Sequence, residues 1–149
     1  MDTNVTTAES SLRDSHRDCF ACGAFNAGGL SLHFETGADG TASAIWQPSP
    51  GFRSYPDRLH GGVIAILLDS AMVHALFARG VAGVTAELTI RYLRSVGLLE
   101  PLQVSGRVES EKHGIFTCRA DIHQAGIHTV RASAKFMAMI PDAPPLPGD

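Results

Sequence analysis

The stretch Leu59-His60-Gly61-Gly62-Val63-Ile64-Ala65-Ile66-Leu67-Leu68-Asp69-Ser70-Ala71-Met72 decides how the rest of the chain must fold. It runs on through Val73-His74-Ala75-Leu76-Phe77-Ala78-Arg79 to Gly80 without a proline. Ala and Leu dominate, so the local reading is a helix that stops at Gly80. From Val63 to Leu68 every residue is apolar, and a helix with no polar face over that span is one wrapped by other structure. Into this run the sequence places one carboxylate, Asp69. A carboxylate among apolar neighbours pairs, shifts its pKa or performs a function, unless it simply faces solvent. His60-Gly61-Gly62 stands at the helix start, where unpaired backbone N–H groups and the positive dipole end favour a developing negative charge. The two glycines let a ligand come close to those amides.

Beyond the helix the period changes. Val84, Ala86, Leu88, Ile90 and Tyr92 alternate with Thr85, Glu87, Thr89, Arg91 and Leu93, which predicts a half-buried strand. If Val84 and Ala86 face the helix, Thr85 has the opposite parity and reaches a site on the helix only through a bulge or across a subunit boundary. Three more strands are predicted over residues 102–110, 115–123 and 127–139, with tight turns at Lys112-His113-Gly114 and Gln124-Ala125-Gly126. On the other side of the helix, residues 30–35 and 41–47 predict a hairpin turning at residues 37–40. Pro48, Pro50, Gly51 and Pro56 then force an irregular loop that leads into His60. The order strand, strand, helix, four strands predicts an antiparallel α+β domain whose sheet curves around one long helix.

A chain of 149 residues has room for one core, with 44% hydrophobic and 18% charged residues typical of a globular domain. The net charge of -3 and the lack of a basic run give no reason to expect nucleic acid or an anionic membrane as partner. No segment is long and apolar enough to span a bilayer. Residues 1–18 are rich in Thr, Ser, Asp and Arg with no apolar block, which argues against a secretory signal and predicts a flexible N-terminal arm. One domain is expected over residues 19–140, followed by a loosely draped tail at residues 141–149 with four prolines. The expected compartment is the cytoplasm. Three cysteines, Cys19, Cys22 and Cys118, cannot form a closed disulfide set. Cys19 and Cys22 are spaced like half a zinc site, and His16 or His33 could in principle add to it. No second pair follows, however, so the expectation is a structural leader and no metal.

His60, Gly61, Gly62, Asp69 and Thr85, together with the leader Cys19-Phe20-Ala21-Cys22-Gly23 and Asn26, Gly29 and Leu30, resemble the hotdog-fold acyl-CoA thioesterases of the phenylacetate-pathway type. The similarity spans residues 19–139. It implies the hotdog fold, an acyl-CoA substrate hydrolysed without a cofactor, and a homodimer or homotetramer whose site lies between subunits. In that family the amide near the His-Gly-Gly comes from one subunit and the acidic residue from the other. Such sharing answers a physical difficulty, since helix rise separates Gly62 from Asp69 by roughly 10–12 Å at 1.5 Å per residue. Carried over residue by residue, the Gly62 N–H is the donor to the carbonyl oxygen, and Asp69 is general base or nucleophile. Thr85 holds the water, and His60 shapes the turn or polarises the carbonyl. Arg91, Arg94 and Lys112, with Gly61, are the candidate contacts to coenzyme A. His74 reads as a core or interface histidine.

Departures from the family pattern fall where nucleotide recognition would be. Asn26-Ala27-Gly28-Gly29 replaces the commoner Asn-Pro, Ser95 stands where Pro often follows the Arg, and Ile115 follows Gly114 where a basic residue is common. Two rival functions share the fold. A hotdog hydratase or dehydratase uses a paired His and acid in a different motif, which is not found here. A non-catalytic acyl-CoA sensor is expected to carry an output domain, for which 149 residues leave no room.

Overall fold

Helix α2 (Gly61–Phe77) forms where the apolar run predicts it. His60 caps its start with extended backbone, and the end is closed by Ala78 N–H donating to His74 O and by Gly80 in the left-handed conformation at φ 72°. Every residue from Ser70 to Phe77 is buried. The first half is less covered, with Val63, Ala65, Ile66 and Asp69 only half-buried. The structure, a computed structural model, describes residues 3–139, with side chains from residue 7 onward. The tail expected at residues 141–149 lies outside the described residues.

Six antiparallel strands make one sheet: β1 (Glu35–Thr36), β2 (Ala42–Trp46), β3 (Gly83–Tyr92), β4 (Leu102–Lys112), β5 (Ile115–Gln124) and β6 (Ile127–Ala138). Their order across the sheet is β1-β2-β4-β5-β6-β3. The sheet curves around α2, the antiparallel α+β arrangement that the alternation predicts and the hotdog fold that the resemblance implies. His113 and Gly114 (φ 55° and 78°) close β4 to β5, and Ala125 and Gly126 (φ 50° and 77°) close β5 to β6. Two successive positive φ values give the turn twist that matches strand twist.

Leu102, Val104, Cys118, Ile122, Val130 and Phe136 from the sheet meet Leu67, Leu68, Met72 and Leu76 from α2 in the core. Each such aliphatic side chain contributes about 1.5–3 kcal/mol by leaving water. Helix and sheet approach closely at Gly106, where a Cβ would sit 2.5 Å from the backbone C and O of Ala71. Only a glycine fits there, and it lets the helix backbone lie directly on β4.

Two expectations need correction. Thr3–Ser15 is not a flexible arm but helix α1, which packs against α2. Arg13 fixes it by donating to Phe34 O at 2.7 Å and Thr36 Oγ1 at 3.1 Å, and by pairing with Glu9 at 2.9 Å. Leu12 reaches the core. The expected first strand over residues 30–35 shrinks to the two residues of β1. Leu30, Leu32 and Phe34 still alternate inward, but Ser31 has φ 53°, which breaks a continuous ladder. Trp46 Nε1 donates instead to Leu30 O at 2.9 Å, tying this extended segment to β2.

Candidate active site

Asp69 emerges from the middle of α2 at the wall of a cavity of about 340 Å³ that Ala65, Ile66, Val73, His74 and Leu88 also line. Thr85 Oγ1 donates to Asp69 Oδ1 at 2.6 Å within the same chain. Strand parity alone would turn Thr85 away. The ladder between β3 and β6 slips between Thr85 and Glu87: Thr85 opposes Phe136 and Glu87 opposes Lys135, so Ala86 is an extra, bulged residue. Before the bulge the odd-numbered residues face the helix, and after it Leu88 and Ile90 do. Of the two routes open to Thr85, the bulge is the one taken, and Val84 and Ala86 are exposed. Val84 is 54% exposed.

Burial pushes the Asp69 carboxyl above the ordinary carboxylate range, and the Thr85 hydrogen bond opposes part of that rise by favouring the ionised form. With Oδ1 taken by Thr85, Oδ2 is left to accept a proton from another group.

At the helix start, His60 Nδ1 accepts from the Gly62 N–H at 2.9 Å. His60 thus caps the helix start, and the candidate oxyanion donor is engaged by it. An Nδ1 that accepts puts the proton of the neutral ring on Nε2. Among the described residues no acceptor faces the amides of Gly61 or Val63. Tyr92 OH donates to Gly61 O at 2.8 Å, clamping the first turn of α2 to the end of β3. Nothing in the sequence marks this contact.

The candidate coenzyme A contacts do not converge within one chain. Arg94 and Gly61 line one groove, with Arg58, Tyr55 and Ser95. Arg58 was not foreseen. Arg91 lies on the opposite sheet face, level with Arg131 and near Arg119. Lys112 stands at the β4–β5 turn. Near Asp69, the leader brings Cys19 and Cys22 beside His16, the residue that follows α1. Burial, with Cys19 alongside, pushes the Cys22 thiol up to about 12.

The fold has known counterparts. The sequence profile of the thioesterase superfamily matches residues 57–131, from the loop before α2 into β6. The chain belongs to the thioesterase superfamily. A crystal structure described as a thioesterase superfamily protein is 32% identical with a TM-score of 0.75, covering 78% of this chain and 61% of that one. The chain thus spans about three fifths of that superfamily member. The Escherichia coli PaaI protein from the phenylacetic acid degradation operon has a TM-score of 0.71 at 16% identity, covering 90% and 95% of the two chains. A hypothetical thioesterase from Streptococcus pneumoniae TIGR4, solved with coenzyme A, has a TM-score of 0.72 at 22% identity, covering 86% and 96%. Further structures of thioesterase from that organism carry an Asp or a Thr, sixteen residues apart, changed to Ala. No curated protein matches the chain.

Proposed function

We propose that this protein hydrolyses an acyl-CoA thioester to the free acid and coenzyme A, with Asp69 as general base. The observation that carries this reading is the 2.6 Å hydrogen bond from Thr85 Oγ1 to Asp69 Oδ1 at the wall of an apolar cavity. The hydroxyl spends its proton on Oδ1, so its oxygen can accept from a water whose other proton goes to Oδ2. A water held in that way is ready for attack on a thioester carbonyl, and this favours the base over the nucleophile role for Asp69. The sixteen-residue spacing of Asp69 and Thr85 also matches that of the two residues changed in the Streptococcus pneumoniae thioesterase.

The carbonyl oxygen is received at the start of α2, where it replaces His60 Nδ1 as acceptor of the Gly62 N–H. The helix dipole adds to the stabilisation of the oxyanion. Because Gly62 and Asp69 stand two turns apart on one helix, the amide and the carboxylate that meet one thioester come from two copies of the chain. The half-buried apolar first half of α2 and the free edge of β3, a ten-residue strand, are the surfaces a homodimer would cover. Arg94 and Arg58, which line one groove with Gly61, would meet the phosphates of coenzyme A. A homotetramer would build on the same dimer, and the expected site of action is the cytoplasm. No helix among the described residues is long and apolar enough to cross a membrane.

The test is release of coenzyme A from a panel of aliphatic and aryl acyl-CoAs. Turnover on at least one member, well above the uncatalysed rate, is expected. Saturable binding of acyl-CoA without turnover on any would make the protein a binding module and overturn the proposal.

A further inference from the structure

Cys19 and Cys22 read in sequence as an incomplete pair, yet the fold supplies a third ligand. One atom each from His16, Cys19 and Cys22 lie within 4.8 Å of one another, and His16 Nδ1 is 3.7 Å from Cys22 Sγ. A nitrogen and a sulfur bound tetrahedrally to one zinc ion, at the usual Zn–N and Zn–S lengths, stand about 3.6 Å apart. The observed separation already matches that of a metal-bound pair.

The backbone holds these side chains in place. Cys19 N–H donates to His16 O at 2.9 Å and Gly23 N–H to Cys19 O at 2.8 Å, winding His16-x-x-Cys19-x-x-Cys22 into consecutive tight turns. A Cβ on Gly23 would lie 2.4 Å from Cys19 N, so only glycine permits this winding. Leu30 N–H and Leu32 N–H donate to Phe20 O and Ala21 O, fixing the two residues between the cysteines from outside. His16 is set edge-on against Phe77 of α2 at 4.9 Å.

A second feature points to a ligand in this cavity. His74, 4% exposed, lines the same cavity as the three residues, and neither of its ring nitrogens has a hydrogen-bond partner among the described residues. Buried imidazoles ordinarily have one. A disulfide would use the two cysteines and leave His74 unexplained, whereas a Cys₂His set is the soft donor chemistry that selects zinc among the common divalent ions.

We propose that His16, Cys19 and Cys22 bind one zinc ion, whose fourth position opens into the cavity lined by His74 and Asp69. Binding takes both sulfurs as thiolates and releases their two protons to solvent, with no change of oxidation state. The ion would fasten the end of α1 and the leader together against α2. The assignment of the ion does not rest on the proposed hydrolysis, although both sites border one cavity.

The experiment uses the full chain, reduced, stripped with chelator and titrated with Co²⁺ and then Zn²⁺ without oxygen. One equivalent of Co²⁺ should give intense thiolate-to-cobalt absorption and tetrahedral visible bands, both abolished by one equivalent of Zn²⁺. Affinity should fall about 10²-fold or more in Cys22→Ser and in His16→Ala, and stay unchanged in Cys118→Ala, whose sulfur is buried in the sheet. Circular dichroism of each variant checks folding. If the triad variants fail to fold, the wild-type titration decides alone. Absence of the thiolate absorption from the reduced wild-type chain, or a Cys22→Ser variant that folds and binds equally well, would overturn the proposal. So would a reduced chain that takes up no metal and forms only a Cys19–Cys22 disulfide in air.

Discussion

The hydroxyl of Thr85 reaches Asp69 Oδ1 at 2.6 Å because Ala86 is one residue too many in β3. That bulge turns a strand threonine toward the helix and gives the carboxylate a fixed orientation. Thr85→Ala should therefore reduce kcat by about tenfold, less than loss of the base itself. It should also raise the Asp69 pKa further, since the hydrogen bond favours the ionised form. The acid limb of the pH–rate profile should accordingly move to higher pH. An unchanged limb with reduced kcat would separate the threonine from the carboxylate.

His60 caps α2 through the Gly62 N–H. His60→Ala should lower stability by about 0.5–2 kcal/mol, the usual effect of losing a side-chain cap, measured by urea unfolding. With the amide released, hydrolysis should fall by less than about tenfold. A loss on the order of 10² at unchanged stability would instead make His60 Nε2–H the group that polarises the carbonyl.

The approach of α2 to β4 at Gly106 leaves no room for one methyl group. Gly106→Ala must push the Ala71 backbone away from the sheet. The expected loss is about 1–3 kcal/mol, as for other overpacked cores, read from the urea midpoint at unchanged slope. A stability equal to wild type would show that the helix is not seated as described.

His74 is buried between Phe34 and Phe77 with no side-chain hydrogen bond among the described residues. Burial, then Arg13, His16 and His33, depress its pKa to about 3. For a base with a depressed folded pKa, the unfolded chain binds the extra proton as pH falls below the unfolded value of about 6.5. Stability contributed by the neutral ring is thus present above that value and lost progressively toward pH 3. His74→Leu should flatten this part of the stability profile relative to wild type in the metal-free protein. Asp69, with a raised pKa, works in the opposite direction but equally in both proteins, so it cancels in the comparison. Parallel profiles would place a charged or hydrogen-bonded ring at position 74.

The central helix was legible because 63–68 leaves it no polar face, and the four long strands because each alternates. The bulge at Ala86 was not, since an alanine in a strand carries no mark of a register slip. Sequence had allowed it only as one of two routes for Thr85. Helix α1 was hidden by its Thr, Ser and Asp content, which reads as solvated; what holds it is a few long-range contacts of Leu12 and Arg13 that no local pattern encodes. Asp69, His60 and Gly62 stood out through resemblance as well as chemistry. Arg91, Arg94 and Lys112 were grouped by resemblance, but strand geometry puts Arg91 on the far face and only Arg94 beside Gly61. His16, three residues from Cys19, was named in the sequence as a possible addition to the pair, but only the turns of the leader bring its ring beside Cys22.

The most direct test is the turnover number of Asp69→Asn on the best acyl-CoA found. Asparagine keeps the shape and still accepts from Thr85, but it cannot take a proton from water. The account predicts a fall in kcat of about 10² or more, with acyl-CoA binding within a few fold of wild type. Turnover near wild type would contradict it, leaving Asp69 as a residue of the cavity wall and the base still to be found.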